Sequence, residues 1–334
     1  MVKSTRYEWI DYSKALMLLL VIVGHVFLGL YESNKFQSDS TWIWIVVQVL
    51  YTIHIPVFFA LSGYFFKPIN SFSEYGNYVK NKTISLGLPY IFYNILHFSL
   101  QQVGGASVRD KSNIYDLINI YREPVSVSWY LYILWGVFVL VGFISLFVKS
   151  KYQLLGITFI LMIFINIFNT DIYIIQRTLL WSFFFVLGYV LRYVNLDVIR
   201  NWKVIALLLL SHILYIFTWF KYDFEDRISY HLPQWWALIF VISIVWAFLL
   251  IPKINTKSKF MLNLGRDSLV IYLLHAPVVS FVRIILLKLG IDSAETHIIV
   301  GSILGLVVPL LANYIIKRVK YFEFIFYPLK YIKK

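Results

Sequence analysis

Long apolar runs, repeated along almost the whole chain, constrain this sequence more than any other feature. Crossing roughly 30 Å of hydrocarbon takes about 20 residues of helix. Ten candidate runs occur, near residues 10–31, 42–66, 84–102, 128–148, 152–169, 172–192, 203–220, 234–251, 267–289 and 297–317. Composition points the same way. Of 334 residues, 60% are hydrophobic and only 14% charged, against roughly 25% charged in an average globular protein. A soluble fold of this size cannot hide so much apolar surface. The expected fold is all-α, a polytopic membrane protein with about ten transmembrane helices. The chain has no cysteine, which excludes a disulfide scaffold, thiolate catalysis and cysteine-bound metal.

Where the charge lies matters more than the net +13. Twenty of the thirty Lys and Arg fall in the N-terminus, the even-numbered loops and the C-terminal tail, and seven in the odd-numbered loops. Positive-inside reasoning therefore puts both termini in the cytoplasm. The basic excess is accounted for by topology and anionic membrane lipids. Nucleic acid is not an expected partner. Lys3 and Arg6 precede an apolar run, but Asp11 and Lys14 interrupt its start, so a retained first helix is expected and no cleaved signal. One membrane domain, 1–334, is expected to fill the chain.

Ionisable residues inside a membrane span usually face the bundle interior or a water-filled cavity. Lys14 and His25 lie eleven residues apart, three turns plus about 20°, on one face of the first helix and roughly 16 Å apart along its axis. Asp11 falls near the same stripe. His54, with Pro56, Ser62 and Gly63, lies in the second run, and His275 lies in the ninth, about seven residues above Ser268. Three histidines on three helices can therefore meet near mid-membrane. A three-histidine zinc site lacks any closely spaced ligand pair, so no metal is expected. Acid–base chemistry is the simpler use of imidazole, whose unperturbed pKa is about 6.5. Arg177 sits in the outer half of the sixth run and suits a carboxylate or sugar in an outer cavity. Trp129 and Tyr130 open the fourth run at the outer face, where interfacial anchoring and stacking on a sugar ring are both open. Arg283 reads as a snorkelling residue, and His97, His212 and His297 have no partner readable from sequence.

At this point the sequence resembles the integral-membrane acyltransferase 3 family, nearly end to end. Lys14 and His25 match the family's opening spacing of a basic residue, ten residues and a histidine, with Asp11 placed as in its common start. HIPVFFALSGYFFK (54–67), LGLPY (86–90), SWYLYIL (128–134), SFFFVLGYVLR (182–192) and LGRDSLVIYLLH (264–275) follow its pattern in order. One departure stands out. Members often carry two arginines three apart before the third helix, and here Lys82 and Ser85 occupy those places.

The resemblance implies a membrane O-acyltransferase of the bacterial cytoplasmic membrane, without an attached extracytoplasmic domain. It would move an acyl group, most often acetyl, from cytoplasmic acetyl-CoA to a hydroxyl of a cell-surface polysaccharide or lipid-linked saccharide. Coenzyme A is polyanionic, so Lys14, Lys82 and Arg266 are expected at a positive donor mouth, tuned by Asp11. His25 is expected as general base or as acyl acceptor, with His54 and His275 orienting the site or stabilising the oxyanion. Arg177, Trp129, Tyr130 and Ser62 are expected to bind the acceptor. The rival reading is a polysaccharide or small-solute transporter using His25, Arg177 and His275 as a path. No paired repeats with broken helices support it. Acceptor identity and the formation of a homo-oligomer are not readable from sequence.

Overall fold

The computed structural model describes residues 7–105, 108, 111–222, 237–254 and 257–332. Its elements are α1 (Glu8–Ser33), α2 (Ser40–Tyr64), α3 (Phe72–Gly104), α4 (Ile114–Ile118), α5 (Trp129–Phe147), α6 (Lys151–Ile167) and α7 (Tyr173–Leu191). They continue as α8 (Trp202–Tyr222), α9 (Ala237–Leu250), α10 (Lys259–Arg266), α11 (Ser268–Lys288), α12 (Ala294–Ile316), α13 (Lys320–Phe326) and α14 (Leu329–Ile332). No strand occurs among the described residues, and each of the ten apolar runs coincides with a helix. Seven helical segments are long and apolar enough to cross a membrane, and α6 and α9 are shorter apolar helices. The protein is an all-α polytopic membrane protein. Lys3, Arg6, Arg109, Arg227, Lys333, Lys334 and the start of the eighth run, 234–236, lie outside the described residues.

Local chemistry sets the helix ends. Ser71 caps α3 by accepting from the Glu74 N–H, Ser258 caps α10 through Met261, and Ser293 caps α12 through Thr296. Such caps satisfy backbone donors that a helix start leaves unpaired. Asn34, in the left-handed region at φ 55°, ends α1.

Helix α1 is the axis of the bundle, packed against α2, α10, α11 and α12. Helix α2 also packs on α7 and α9. The α2–α7 approach is close because two glycines meet backbone there. A Cβ on Gly63 would run into the Phe185 carbonyl, and one on Gly188 into the Ala60 carbonyl. Small residues permit this kind of approach between membrane helices. The described ends of the chain lie at one end of the bundle. Asp11 near the start of α1 pairs with Arg266 at 3.7 Å, and Lys317 after α12 pairs with Asp267 at 2.6 Å.

The start of α5 departs from expectation. The sequence suggests that residues 103–127 form an outer connection and that Trp129 and Tyr130 sit at the membrane surface. In the structure, the 3-10 turn Ser126–Ser128 packs against the bundle instead, with Val127 and Ser128 fully buried and Ser126 exposed. Irregular backbone is tolerated at membrane depth only where protein or an internal cavity satisfies its polar groups. Side chains do so here. Buried Asn94 accepts from the Val125 N–H (3.1 Å) and the Ser128 hydroxyl (3.3 Å). The hydroxyls of Tyr90, Tyr132 and Tyr272 donate to the carbonyls of Ile120, Tyr121 and Val127 at 2.5, 2.5 and 2.6 Å. Helix α5 therefore begins packed against the bundle.

Candidate active site

The three expected histidines converge. His25 sits midway along α1 with its ring centroid 5.0 Å from that of His275 on α11. Tyr51 on α2 bridges the third, at 6.0 Å from His25 and 4.8 Å from His54. His54 and His275 are buried, whereas His25 keeps accessible surface. The three imidazoles thus form one cluster, in which His25 is the one not fully enclosed.

The tautomer of His275 follows from its partner. Nδ1 lies 2.5 Å from the Tyr272 carbonyl, which can only accept, so Nδ1 carries the proton. Nε2 is then a bare acceptor, and it has no hydrogen-bond partner among the described residues. His54 Nδ1 is likewise buried without one. Buried polar atoms left in this state are uncommon and ask for a functional account. No cluster of three His, Asp or Glu with metal-binding geometry occurs among the described residues.

Cations gather where α2 ends. The Lys14 ammonium lies 5.6 Å from the Phe65 ring. Arg192, after α7, lies 5.9 Å from the Tyr64 ring, and its Nη1 donates to the Tyr64 carbonyl at 3.5 Å. Lys82 sits 3.5 Å from the Phe138 ring and 5.5 Å from Tyr78. Arg266 pairs with Asp11, so Asp11 serves that arginine, and the Asp11 carbonyl packs directly on Gly265. Cations at a helix C-terminus oppose its negative dipole end. Lys14, Lys82, Arg192 and Arg266 thus crown the end of the bundle from which the Lys14–His25 stripe climbs inward.

Ser62 and Tyr130 are brought together, Oγ to Oη at 3.2 Å, although 68 residues separate them. Tyr130 also packs on Phe59 (5.0 Å) and on Tyr272 (5.6 Å). Its neighbour Trp129 is partly buried against the main core. Arg177 is 5% exposed, stacks over Tyr173 at 3.6 Å and donates to Gln176 at 3.4 Å.

A cavity of about 510 Å³ lies elsewhere at the cationic end, between Ser85 and Leu86 on α3, Asp267 and Leu269, and the α13–α14 tail. None of the three histidines lines it. Its walls carry the Lys317–Asp267 and Lys330–Glu323 pairs, so their charges largely cancel.

Sequence reasoning missed Tyr51, Tyr272 and Arg192. The first two stand three residues before His54 and His275, the i, i+3 spacing that puts side chains on one helix face, so a signal was present. Arg192 closes the SFFFVLGYVLR segment without any cue that it turns to α2.

The acyltransferase-3 family model, described as an acyltransferase domain, matches residues 7–318. The chain belongs to the acyltransferase 3 family. Among curated proteins, this acyltransferase-3 chain is similar to the nodulation protein NolL of Mesorhizobium japonicum, 24% identical over 138 residues, which is 41% of this chain and 35% of that protein. NolL of Sinorhizobium fredii is 24% identical over 147 residues, 41% of this chain and 36% of that protein. The matched segment spans about a third of the length of these relatives. No solved structure matches the chain. Lys14, His25, His54 and His275 all fall inside the family match, whereas α13 and α14 lie beyond it.

Proposed function

We propose that the protein is a membrane O-acyltransferase that moves an acyl group, acetyl in the first instance, from cytoplasmic acetyl-CoA to a hydroxyl of a cell-surface or lipid-linked saccharide. The observation that carries this reading is the placement of His25. It lies on the central helix, partly exposed, against two further histidines, on the stripe that starts at Lys14 among the gathered cations.

In this reading Lys14, Lys82, Arg192 and Arg266 hold the nucleotide phosphates of the donor at the cytoplasmic end, with Asp11 fixing Arg266. The acceptor saccharide is held by Arg177 and Trp129 and brings its hydroxyl to His25. His25 takes the hydroxyl proton as the oxygen attacks the thioester carbonyl. The carbon–sulfur bond breaks, and the imidazolium returns the proton to the departing thiolate, so the reaction balances without net proton release. His275 packs edge-on against the His25 ring, 5.0 Å between centroids, and so fixes how that imidazole faces the reactants. His54 completes the cluster.

The test uses full-length protein in vesicles with radiolabelled acetyl-CoA and a saccharide acceptor. Wild type is expected to consume donor and label the acceptor. His25→Ala, folded and inserted, is expected to lose about 100-fold or more of that rate. A wild-type rate in His25→Ala removes His25 from the chemistry. Saccharide crossing the vesicle without donor turnover replaces acyl transfer by transport.

A further inference from the structure

Between the cationic end and the histidines lies a set of hydroxyls that no step above uses. Ser62 stands two residues before the end of α2, where Phe65 meets Lys14 and Tyr64 meets Arg192. It is eight residues, or about 12 Å of helix axis, from His54. From Ser62 the ring contacts run without a break, through Tyr130 to Tyr272 (5.6 Å), to His275 (5.8 Å) and to His25 (5.0 Å). Phe58 flanks this line, 5.9 Å from Tyr130. Ser62, Phe58, Tyr130, Tyr272 and His25 all keep accessible surface although they face one another across α1, α2, α5 and α11. One passage between these helices would account for that remaining surface.

The hydrogens in this passage can be counted. Ser62 and Tyr130 bring two O–H groups and share one hydrogen bond, so one O–H of the pair is uncommitted among the described residues. Tyr272 has already given its hydrogen to the Val127 carbonyl, so its oxygen offers only lone pairs. The passage thus holds one donor and, one ring contact further in, one acceptor. A secondary amide presents the complement: a carbonyl that accepts and an N–H that donates. The pantetheine arm of coenzyme A is a thin chain carrying two such amides. Its roughly twelve bonds from phosphate oxygen to sulfur equal four residues of extended backbone, about 14 Å. The Lys14–His25 stripe offers roughly 16 Å.

We propose that Ser62, Tyr130 and Tyr272 form the binding station for the pantetheine arm of the acyl donor, so that Ser62 and Tyr130 serve the donor and not the acceptor. This rests on the reading of the protein as acyl-CoA dependent. The uncommitted Ser62–Tyr130 hydroxyl donates to an amide carbonyl, the Tyr272 oxygen accepts an amide N–H, and the sulfur end is delivered to His25. The turn Ser126–Ser128 has a purpose on this account. It starts α5 where Tyr130 falls in the passage, and it takes the Tyr272 hydrogen so that only an acceptor faces the donor arm.

The test compares two probes on purified full-length protein: coenzyme A, and 3′-phospho-ADP, which is coenzyme A without its arm. Wild type is expected to bind coenzyme A more tightly than 3′-phospho-ADP. Either single variant frees the hydrogen of the remaining hydroxyl, so the double variant Ser62→Ala with Tyr130→Phe, which keeps ring and backbone, is expected to weaken coenzyme A about five- to tenfold, the loss of one hydrogen bond, and to leave 3′-phospho-ADP unchanged. In turnover, the KM for acetyl-CoA should rise while the KM for the acceptor holds. Unchanged coenzyme A binding in the double variant overturns the proposal, as does an equal loss for both probes or a rise confined to the acceptor KM. Failure of the wild type to bind coenzyme A at all overturns the donor reading itself, and this proposal with it.

Discussion

Asn94 shows how much of this site depends on single polar atoms. It is fully buried, and its carbonyl oxygen holds both the Val125 N–H and the Ser128 hydroxyl, while its amide donates to the Tyr90 carbonyl at 2.7 Å. Asn94→Leu leaves the Val125 N–H without a partner in an apolar interior, at a cost of about 1–3 kcal/mol. It should lower thermal stability in detergent and weaken coenzyme A binding together, because Tyr130 is positioned by the same turn. Asn94→Asp keeps the acceptor and should retain more of both. The glycines of the α2–α7 contact act through space alone. Gly188→Ala would place a methyl on the Ala60 carbonyl. Backbone cannot rotate away as a side chain can, so a destabilisation of about 1–3 kcal/mol is expected in a denaturation series. Gly156, whose Cβ position is open, should tolerate Ala without such a loss.

Elements differ in how firmly they are held. Helix α8 buries only Ile205, His212 and Trp219, one residue in seven, and meets the bundle along that narrow stripe. His212 was unassigned from sequence, and the structure gives it two partners: Thr52 Oγ1 at 3.2 Å from Nε2 and Ser243 Oγ at 3.2 Å from Nδ1. Each hydroxyl also has a carbonyl of its own helix within reach, Val49 at 2.7 Å and Ile239 at 2.8 Å, to which it can donate. Thr52 and Ser243 therefore stay satisfied when the imidazole is lost, and His212→Leu should cost less than about 2 kcal/mol in the same denaturation series. The α13–α14 tail is held by charge. Hydrogen bonds from Lys330 first, and then from Tyr331, keep the Glu323 carboxyl below its ordinary value of 4.5. A carboxyl lowered by folding contributes stability above its ordinary value and loses it as pH falls through the folded one. Hydrogen exchange over 320–332 should show wild type more protected than Glu323→Gln at pH 6, with the difference lost as pH falls below the ordinary 4.5 and through the lower folded value.

The whole molecule commits to an orientation that the bundle makes testable. Asp11, Arg266, Asp267, Lys317 and the end of α2 share one end, and that end carries the cations. Positive-inside reasoning predicts that this end faces the cytoplasm. The chain has no cysteine of its own, so single cysteines report position without background. In right-side-out vesicles, Lys35→Cys and Lys288→Cys should react with a membrane-impermeant maleimide, and Lys149→Cys and Lys320→Cys only after permeabilisation. The reverse pattern would invert the donor and acceptor sides of the proposed reaction.

What the sequence determined by itself was whatever depends on local period and solvent. Apolar run length dictates helices in a membrane, charge asymmetry orders the loops, and the eleven-residue step from Lys14 to His25 fixes one stripe on one helix, because helix geometry is the same everywhere. The meeting of His25 with His54 and His275 was legible only as an opportunity, since three helices can be rotated in many ways. Tertiary structure decided the rest. It sent Asp11 to Arg266, brought Arg192 to the end of α2, joined Ser62 to Tyr130 across 68 residues, and packed Ser126–Ser128 against the bundle. An apolar run says that a segment belongs in lipid or protein, but not which. A turn can be buried only where partners from distant helices satisfy its backbone, and no local pattern encodes those partners.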